Sequence, residues 1–210
     1  MELKEYYKKL YALQDKVLNI VFDNSTEFYL TGGTCIHRYY VNARYSDDLD
    51  FFTNSSKIFS FEVRRLKTIL SEFFNIKVEI ESKDFVRWKI DNLKIDFVND
   101  VSVYCNKVVV RDNIVLDNIE NICANKFLAV LGRDEAKDVF DLFIIDKFFN
   151  PQYKNIIECA KKKAIFNVED LIYRLKTFPK SWIYKLNIID RNLLNEFDLN
   201  FIENIKKEVL

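Results

Sequence analysis

Two of the three glycines in this 210-residue chain are adjacent. That pair constrains the fold more than any other feature. Gly32-Gly33 follows the apolar run "EFYL" and precedes "TCIHRYYV". A short buried strand before the pair and a short helix after it place the glycines on a strand-to-helix turn. Glycine there permits a sharp turn and a close backbone approach, while the helix N-terminus offers unpaired N–H groups and the positive end of a dipole. Such a turn can cradle a phosphate, with the Thr34 hydroxyl as an added donor. A purely structural turn is the competing reading, because Gly-Gly pairs recur in turns.

The next feature is acidic. In "DLDFF", strand alternation puts Asp48 and Asp50 on one face and Leu49 and Phe51 on the other, buried one. Asp47 falls outside this pairing, as a solvated or strand-entry residue. Two like charges side by side repel unless a cation lies between them, and Mg²⁺ is the usual oxygen-seeking ion. In "LKIDFV" a third carboxylate, Asp96, points away from Ile95 and Phe97. If that strand neighbours "DLDFF", three carboxylates converge, and such a triad can hold two Mg²⁺ (or Mn²⁺) ions, one clamping a nucleoside triphosphate and the other lowering the pKa of an attacking hydroxyl. The alternatives are an acidic strand end facing water and, for Asp96, an exposed hairpin residue.

Composition narrows the class without naming a partner. At 49 % hydrophobic the chain can bury a core. Lys+Arg and Asp+Glu balance at 32 each, so no global positive field announces a nucleic acid. Four scattered cysteines without a CxxC pair, and a single histidine, argue against zinc. No signal-type segment follows "MELKEYYKKL", and no run approaches the roughly 20 apolar residues of a membrane span. The expectation is a cytoplasmic protein with reduced thiols and no membrane partner.

The chain divides by texture. Residues 77–110 read as strands, with a two-residue hairpin turn at Asp91-Asn92. Helices are expected near 3–22 and 61–74, the second with a stripe of Leu66, Ile69, Leu70 and Phe73. Beyond about 115 the pattern is helical throughout, including "LLNEFDLNFIENIKKEV". Lys126 and Arg133 share one helical face, Asp138 and Asp141 share a face of the next, and Gly132 breaks the two. The basic pair could balance a triphosphate, or it could bridge internally to Asp138 or Asp141. His37 reads as a packing or surface histidine and most aromatic residues as core. "AKKKA" at 160–164 reads as a solvated helix face.

Taken together, "YLTGGT", "ARYSDDLDFF" and "KIDFV" resemble the DNA polymerase β-type nucleotidyltransferase superfamily. With "NKFLAVLGRDEAKDVFDLF" they look closest to its AbiEii/AbiGii toxin branch, over about residues 29 to 145. Lys137 stands where that branch usually has arginine. The resemblance implies an α+β fold: a nucleotidyltransferase-like mixed sheet flanked by helices in residues 1–112, then a helical bundle in 113–210. It implies metal at Asp48, Asp50 and Asp96, and nucleotide contacts from Gly32, Gly33, Thr34, Ser46, Lys126, Arg133 and Asp141. Asp48, Asp50, Asp96 and Lys126 would carry catalysis. The implied substrate is a nucleoside triphosphate and the implied acceptor an RNA, such as a tRNA 3′ end, in a toxin with a cognate antitoxin. A protein or small-molecule hydroxyl as acceptor, and a non-catalytic nucleotide-binding module, remain open alternatives.

Overall fold

The computed structural model of the chain describes residues 2–209. They form two compact units interleaved along the sequence. One contains the residues up to Cys35, Ser46–Val101 and Val108–Asp117; the other contains Ile36–Tyr45, Ser102–Lys107 and the residues from Asn118 on.

The first unit is built on one mixed sheet. Its strands are β1 (Tyr29–Thr31), β2 (Leu49–Asn54), β3 (Lys77–Glu81), β4 (Phe85–Ile90), β5 (Leu93–Asp100), β6 (Val109–Arg111) and β7 (Ile114–Leu116), in the spatial order β3-β4-β5-β2-β1-β7-β6. The pairs β2/β5 and β1/β7 are parallel and the others antiparallel. The β4–β5 hairpin turns at Asp91-Asn92, with Asp91 at φ 50°. Asp and Asn tolerate that left-handed backbone better than most residues. Helices α1 (Leu3–Asn24) and α3 (Phe59–Ser71) pack beside the sheet, and the turn α2 (Gly32–Cys35) follows β1.

Strand alternation sorts this sheet into two faces. Leu49, Phe51, Ile95 and Phe97 are fully buried. Phe51 stacks on Phe97 with ring centroids 5.1 Å apart and meets Phe22 of α1 at 5.8 Å. Phe28 lies edge-on to Phe59 of α3 at 6.2 Å. Such rings bury large apolar areas and dominate the core energetics. The expected stripe of α3 needs one correction. The helix stops at Ser71 and Phe73 is 64 % exposed, so the buried face is Phe59, Glu62, Val63, Leu66 and Leu70.

The second unit is helical: α4 (Ile119–Gly132), α5 (Ala136–Phe149), α6 (Tyr153–Lys163), α7 (Val168–Thr177), α8 (Asn192–Glu196) and α9 (Phe201–Val209). The Asn118 side chain caps α4 by accepting from the Asn121 N–H at 2.8 Å, a contact worth about 1 kcal/mol. Helix α4 packs against α5, α6 and α7, and α9 against α6 and α7. The earlier segment around the π-helical turn Ile36–Tyr40 joins this unit through backbone bonds, Tyr45 N–H to Asn187 O at 2.8 Å and Ile189 N–H to Ala43 O at 2.9 Å. The run "LLNEFDLNFIENIKKEV" is two helices, not one. Between them the Asp198 carboxylate accepts from the Asn200 N–H at 2.8 Å, a local bond that competes with helix continuation.

This is the expected α+β arrangement, a mixed sheet with flanking helices and a helical C-terminal part. Among the described residues no helix is long and apolar enough to cross a membrane.

The cysteines depart from expectation. Cys105 and Cys159 form a disulfide across 54 residues of sequence, with their Cα atoms 6.0 Å apart, while Cys35 and Cys123 are free and buried. Sequence spacing gave no sign of this pair, because only the fold of the second unit brings the segment 102–107 to α6. Closing a loop of that length stabilises by about 4 kcal/mol in the chain-entropy model. Reduction with dithiothreitol is therefore expected to lower the urea midpoint. An unchanged midpoint would show that the bridge does not support the fold.

Candidate active site

The site is built from the end of β1 outward. Gly32 adopts φ 72°, and a Cβ placed there would lie 2.4 Å from Asp50 Oδ2. Both facts exclude a side chain: the backbone conformation favours glycine, and the carboxylate occupies the space. Thr31 pairs with Asp50 across β1/β2, and Asp50 pairs with Asp96 across β2/β5. The glycine turn, Asp50 and Asp96 thus lie at one level on three adjacent strands. Their neighbours Leu49, Phe51, Ile95 and Phe97 face the apolar side, so Asp50 and Asp96 share the opposite face.

Buried hydroxyls lock the segment before β2 to the glycine turn. Thr34 Oγ1 donates to the Asp48 carbonyl and lies 2.9 Å from Ser46 Oγ. Thr34 and Ser46 are both buried. Helix α1 holds the same segment: Gln14 Nε2 donates to the Ser46 carbonyl at 3.1 Å, the Ser46 N–H donates to Tyr11 Oη at 3.1 Å, and Tyr7 Oη donates to Asp47 Oδ1 at 2.8 Å. Asp47 itself is exposed ahead of the strand. The hydroxyls expected to meet phosphate are thus engaged within the unit, where they fix the acids relative to the turn.

Two cations face the acids on the same sheet. Arg87 of β4 donates through Nε to Asp96 Oδ1 and through a terminal N–H to Asp96 Oδ2, both at 2.7 Å. This hydrogen-bonded fork raises the Arg87 pKa. Lys94 Nζ lies 2.7 Å from Asp48 Oδ2. Among the described residues no three acidic, histidine or cysteine side chains are gathered as a metal set. The donor chemistry nevertheless suits a hard divalent ion, since all the candidate donors are carboxylate oxygens. In this structure Arg87 and Lys94 pair with two of those acids, Asp96 and Asp48.

The other expected residues lie in the second unit and form an ionic network around the buried Asp138 and Asp141. Lys126 Nζ is 2.7 Å from Asp138 Oδ1 and 2.7 Å from Asp141 Oδ2. Arg133 Nε lies 2.7 Å from Asp138 Oδ2. Arg44 donates twice to Asp141, at 2.7 and 2.8 Å, and His37 Nε2 sits 2.8 Å from Asp141 Oδ1. Burial alone would raise the Asp141 pKa, but Arg44, Lys126 and His37 hold it well below the usual carboxylate range. Burial likewise opposes the Asp138 charge, and Lys126 with Arg133 overcomes it, leaving that pKa lowered. For Lys126 burial disfavours the ammonium, yet Asp141 and Asp138 raise its pKa. Burial and then Arg44 lower the pKa of His37, so it is a neutral packed histidine at pH 7.

Arg87, Lys94 and Arg44 were missed by sequence reasoning. For Arg87 a signal existed: the two-residue turn at Asp91-Asn92 fixes the hairpin register, and counting outward sets Arg87 opposite Asp96. Arg44 stands in the quoted "ARYSDDLDFF", but nothing local names its partner, because Asp141 is 97 residues away.

A glycine turn against an Asp-x-Asp strand, with a third aspartate in register on the adjacent parallel strand, is the architecture of a nucleotidyltransferase. Over residues 19–198 the chain matches the family described as nucleotidyl transferase AbiEii toxin of type IV toxin–antitoxin systems, and it belongs to that family. It is 30 % identical over 152 residues to the uncharacterized protein aq_aa25 of Aquifex aeolicus (strain VF5), covering 71 % of each chain. Its fold is similar to the crystal structure of JHP933 from Helicobacter pylori, with TM-score 0.58 and 22 % identity over 99 % of this chain and 96 % of that one. It is also similar to a putative nucleotidyltransferase of H. pylori, with TM-score 0.54 and 23 % identity over 99 % and 92 %.

Proposed function

We propose that this member of a nucleotidyl transferase toxin family uses Mg²⁺ or Mn²⁺ to move a nucleotidyl group from a nucleoside triphosphate to a hydroxyl of RNA, a tRNA 3′ end being the favoured acceptor. The observation that carries the reading is the placement of Gly32, Asp50 and Asp96 at one level of three neighbouring strands. In the reaction the acceptor oxygen forms a bond to the α-phosphorus, the bond to the pyrophosphate oxygen breaks, and the hydroxyl proton leaves with a base.

Asp48, Asp50 and Asp96 would hold the ion, whose chemistry is to clamp the triphosphate and acidify the attacking hydroxyl. Asp96 orients that hydroxyl and takes its proton. The backbone at Gly32 and Gly33 approaches the phosphates, while Thr34 and Ser46 keep the turn and the acid strand in fixed relation. Lys126 and Arg133 serve first as counter-ions of Asp138 and Asp141. Any charge they lend to the triphosphate is a second duty. The reading includes a cognate antitoxin, which the family description as a type IV toxin–antitoxin toxin supports.

The test is incubation with each α-labelled nucleoside triphosphate, Mg²⁺ and total RNA plus cell extract, followed by nuclease or protease digestion. Label that is nuclease-sensitive supports RNA as acceptor. Label that survives nuclease and yields to protease would move the assignment to a protein hydroxyl.

A further inference from the structure

We propose that Arg87 and Lys94 are built-in counter-cations of the acid set, and that Arg87 sets both the metal affinity of the site and the aim of Asp96. The inference rests on the nucleotidyl-transfer reading above. Asp50 and Asp96 are register partners on parallel strands and present the same face. Carboxylates that close repel one another without a cation. The sheet supplies two cations of its own: Arg87 lies directly opposite Asp96 on β4, and Lys94 lies two residues before Asp96 on β5 and pairs with Asp48.

The geometry of the fork decides what Arg87 does. Its two 2.7 Å bonds take both oxygens of Asp96. Each oxygen keeps one further lone pair, but the fork holds the inner-facing pair and much of the carboxylate's charge, so a divalent ion or an acceptor hydroxyl must either take the outer lone pair of an oxygen already neutralised by Arg87 or displace one of these bonds. Arg87 thus competes with metal for Asp96 and lowers the affinity of the empty site. In return it stabilises the acid pair when no metal is bound. The side chain can make this exchange because it is 30 % exposed, so its guanidinium finds water when displaced. Arg44 in the second unit, 6 % exposed against Asp141, has no such outlet. Two similar Arg–Asp forks therefore serve different ends, one exchangeable and one fixed.

The test uses the full chain without nucleotide. Mn²⁺ binding is measured by titration calorimetry, and melting temperature with and without Mn²⁺, for wild type, Arg87→Gln, Arg87→Lys, Asp96→Asn and Asp50→Asn. Arg87→Gln is expected to bind Mn²⁺ on the order of tenfold more tightly, since a charge-assisted fork no longer competes. Its melting temperature should fall without metal and recover with it. Arg87→Lys, a point charge without the fork, should lie between. Asp96→Asn should weaken binding whatever stands at position 87. Equal or weaker Mn²⁺ binding by Arg87→Gln, with Asp50→Asn still abolishing it, overturns the role of Arg87 and leaves the transfer reading intact. No Mn²⁺ binding by wild type or Arg87→Gln, with label transfer persisting in a chelator, overturns the metal assignment and this proposal together.

Discussion

Asp141→Ala is expected to destabilise the protein by roughly 3–5 kcal/mol, because it leaves buried cations without their counter-charge. Asp141 accepts from Arg44, His37 and Lys126, and its own side chain is fully buried. Removing the carboxylate leaves Arg44 and Lys126 as like charges in a dry setting. Lys126→Met should cost less, since Asp138 keeps Arg133 and Asp141 keeps Arg44. The double variant Lys126→Met/Asp141→Asn should recover part of the loss of Asp141→Asn, which urea midpoints will show. Normal nucleotide kinetics in folded Lys126→Met would confine Lys126 to the ionic network; a raised KM for nucleotide at little stability cost would give it the second duty.

The same network fixes the sign of the pH dependence. His37, Asp138 and Asp141 all have lowered pKa values in the folded chain. The unfolded chain therefore binds their protons more readily, and stability falls on acidification. The loss begins below about pH 6.5 for His37 and below about pH 4 for the aspartates, the ordinary values of these groups. Lys126, with its pKa raised, stabilises fully below its ordinary value near 10.4 and loses that contribution only as pH rises through its folded value.

Gly32→Ala is expected to have the second large effect, on activity beyond its cost in stability. The left-handed backbone costs an L-residue about 1–2 kcal/mol. The added methyl, 2.4 Å from Asp50 Oδ2, must also push the carboxylate away from its place beside Asp96. Charge stabilisation at a developing transition state is steeply position-dependent, so nucleotidyl transfer should fall by on the order of 100-fold or more. Gly132→Ala is the control: a Cβ there meets nothing within 4 Å, and in a helix it should be neutral or stabilise by about 0.5–1 kcal/mol. Wild-type transfer by Gly32→Ala would reduce the turn to a connection.

Much of this was legible because local rules happened to decide it. Alternation alone separated Leu49 and Phe51 from Asp50, and Ile95 and Phe97 from Asp96, since each lies in a short strand with one apolar face. The turn at Asp91-Asn92 was readable from two residues. Long-range facts were not. Nothing near Arg44 announces Asp141, nothing near Cys105 announces Cys159, and the apolar spacing of α3 does not show that the helix ends before Phe73. Thr34 illustrates a subtler limit: its residue type suits a phosphate, but its hydroxyl is buried against Ser46 and the Asp48 carbonyl.

The central claim is that the acids beside the glycine turn transfer a nucleotidyl group. Its most direct measurement follows parallel reactions with α-labelled and γ-labelled nucleoside triphosphate, comparing wild type with Asp50→Asn after circular dichroism has shown both folded. The expected result is α-label in the acceptor and γ-label released as pyrophosphate by wild type, with Asp50→Asn slower by on the order of 100-fold or more. Transfer of γ-label to the acceptor, or undiminished α-label transfer by folded Asp50→Asn, would contradict it.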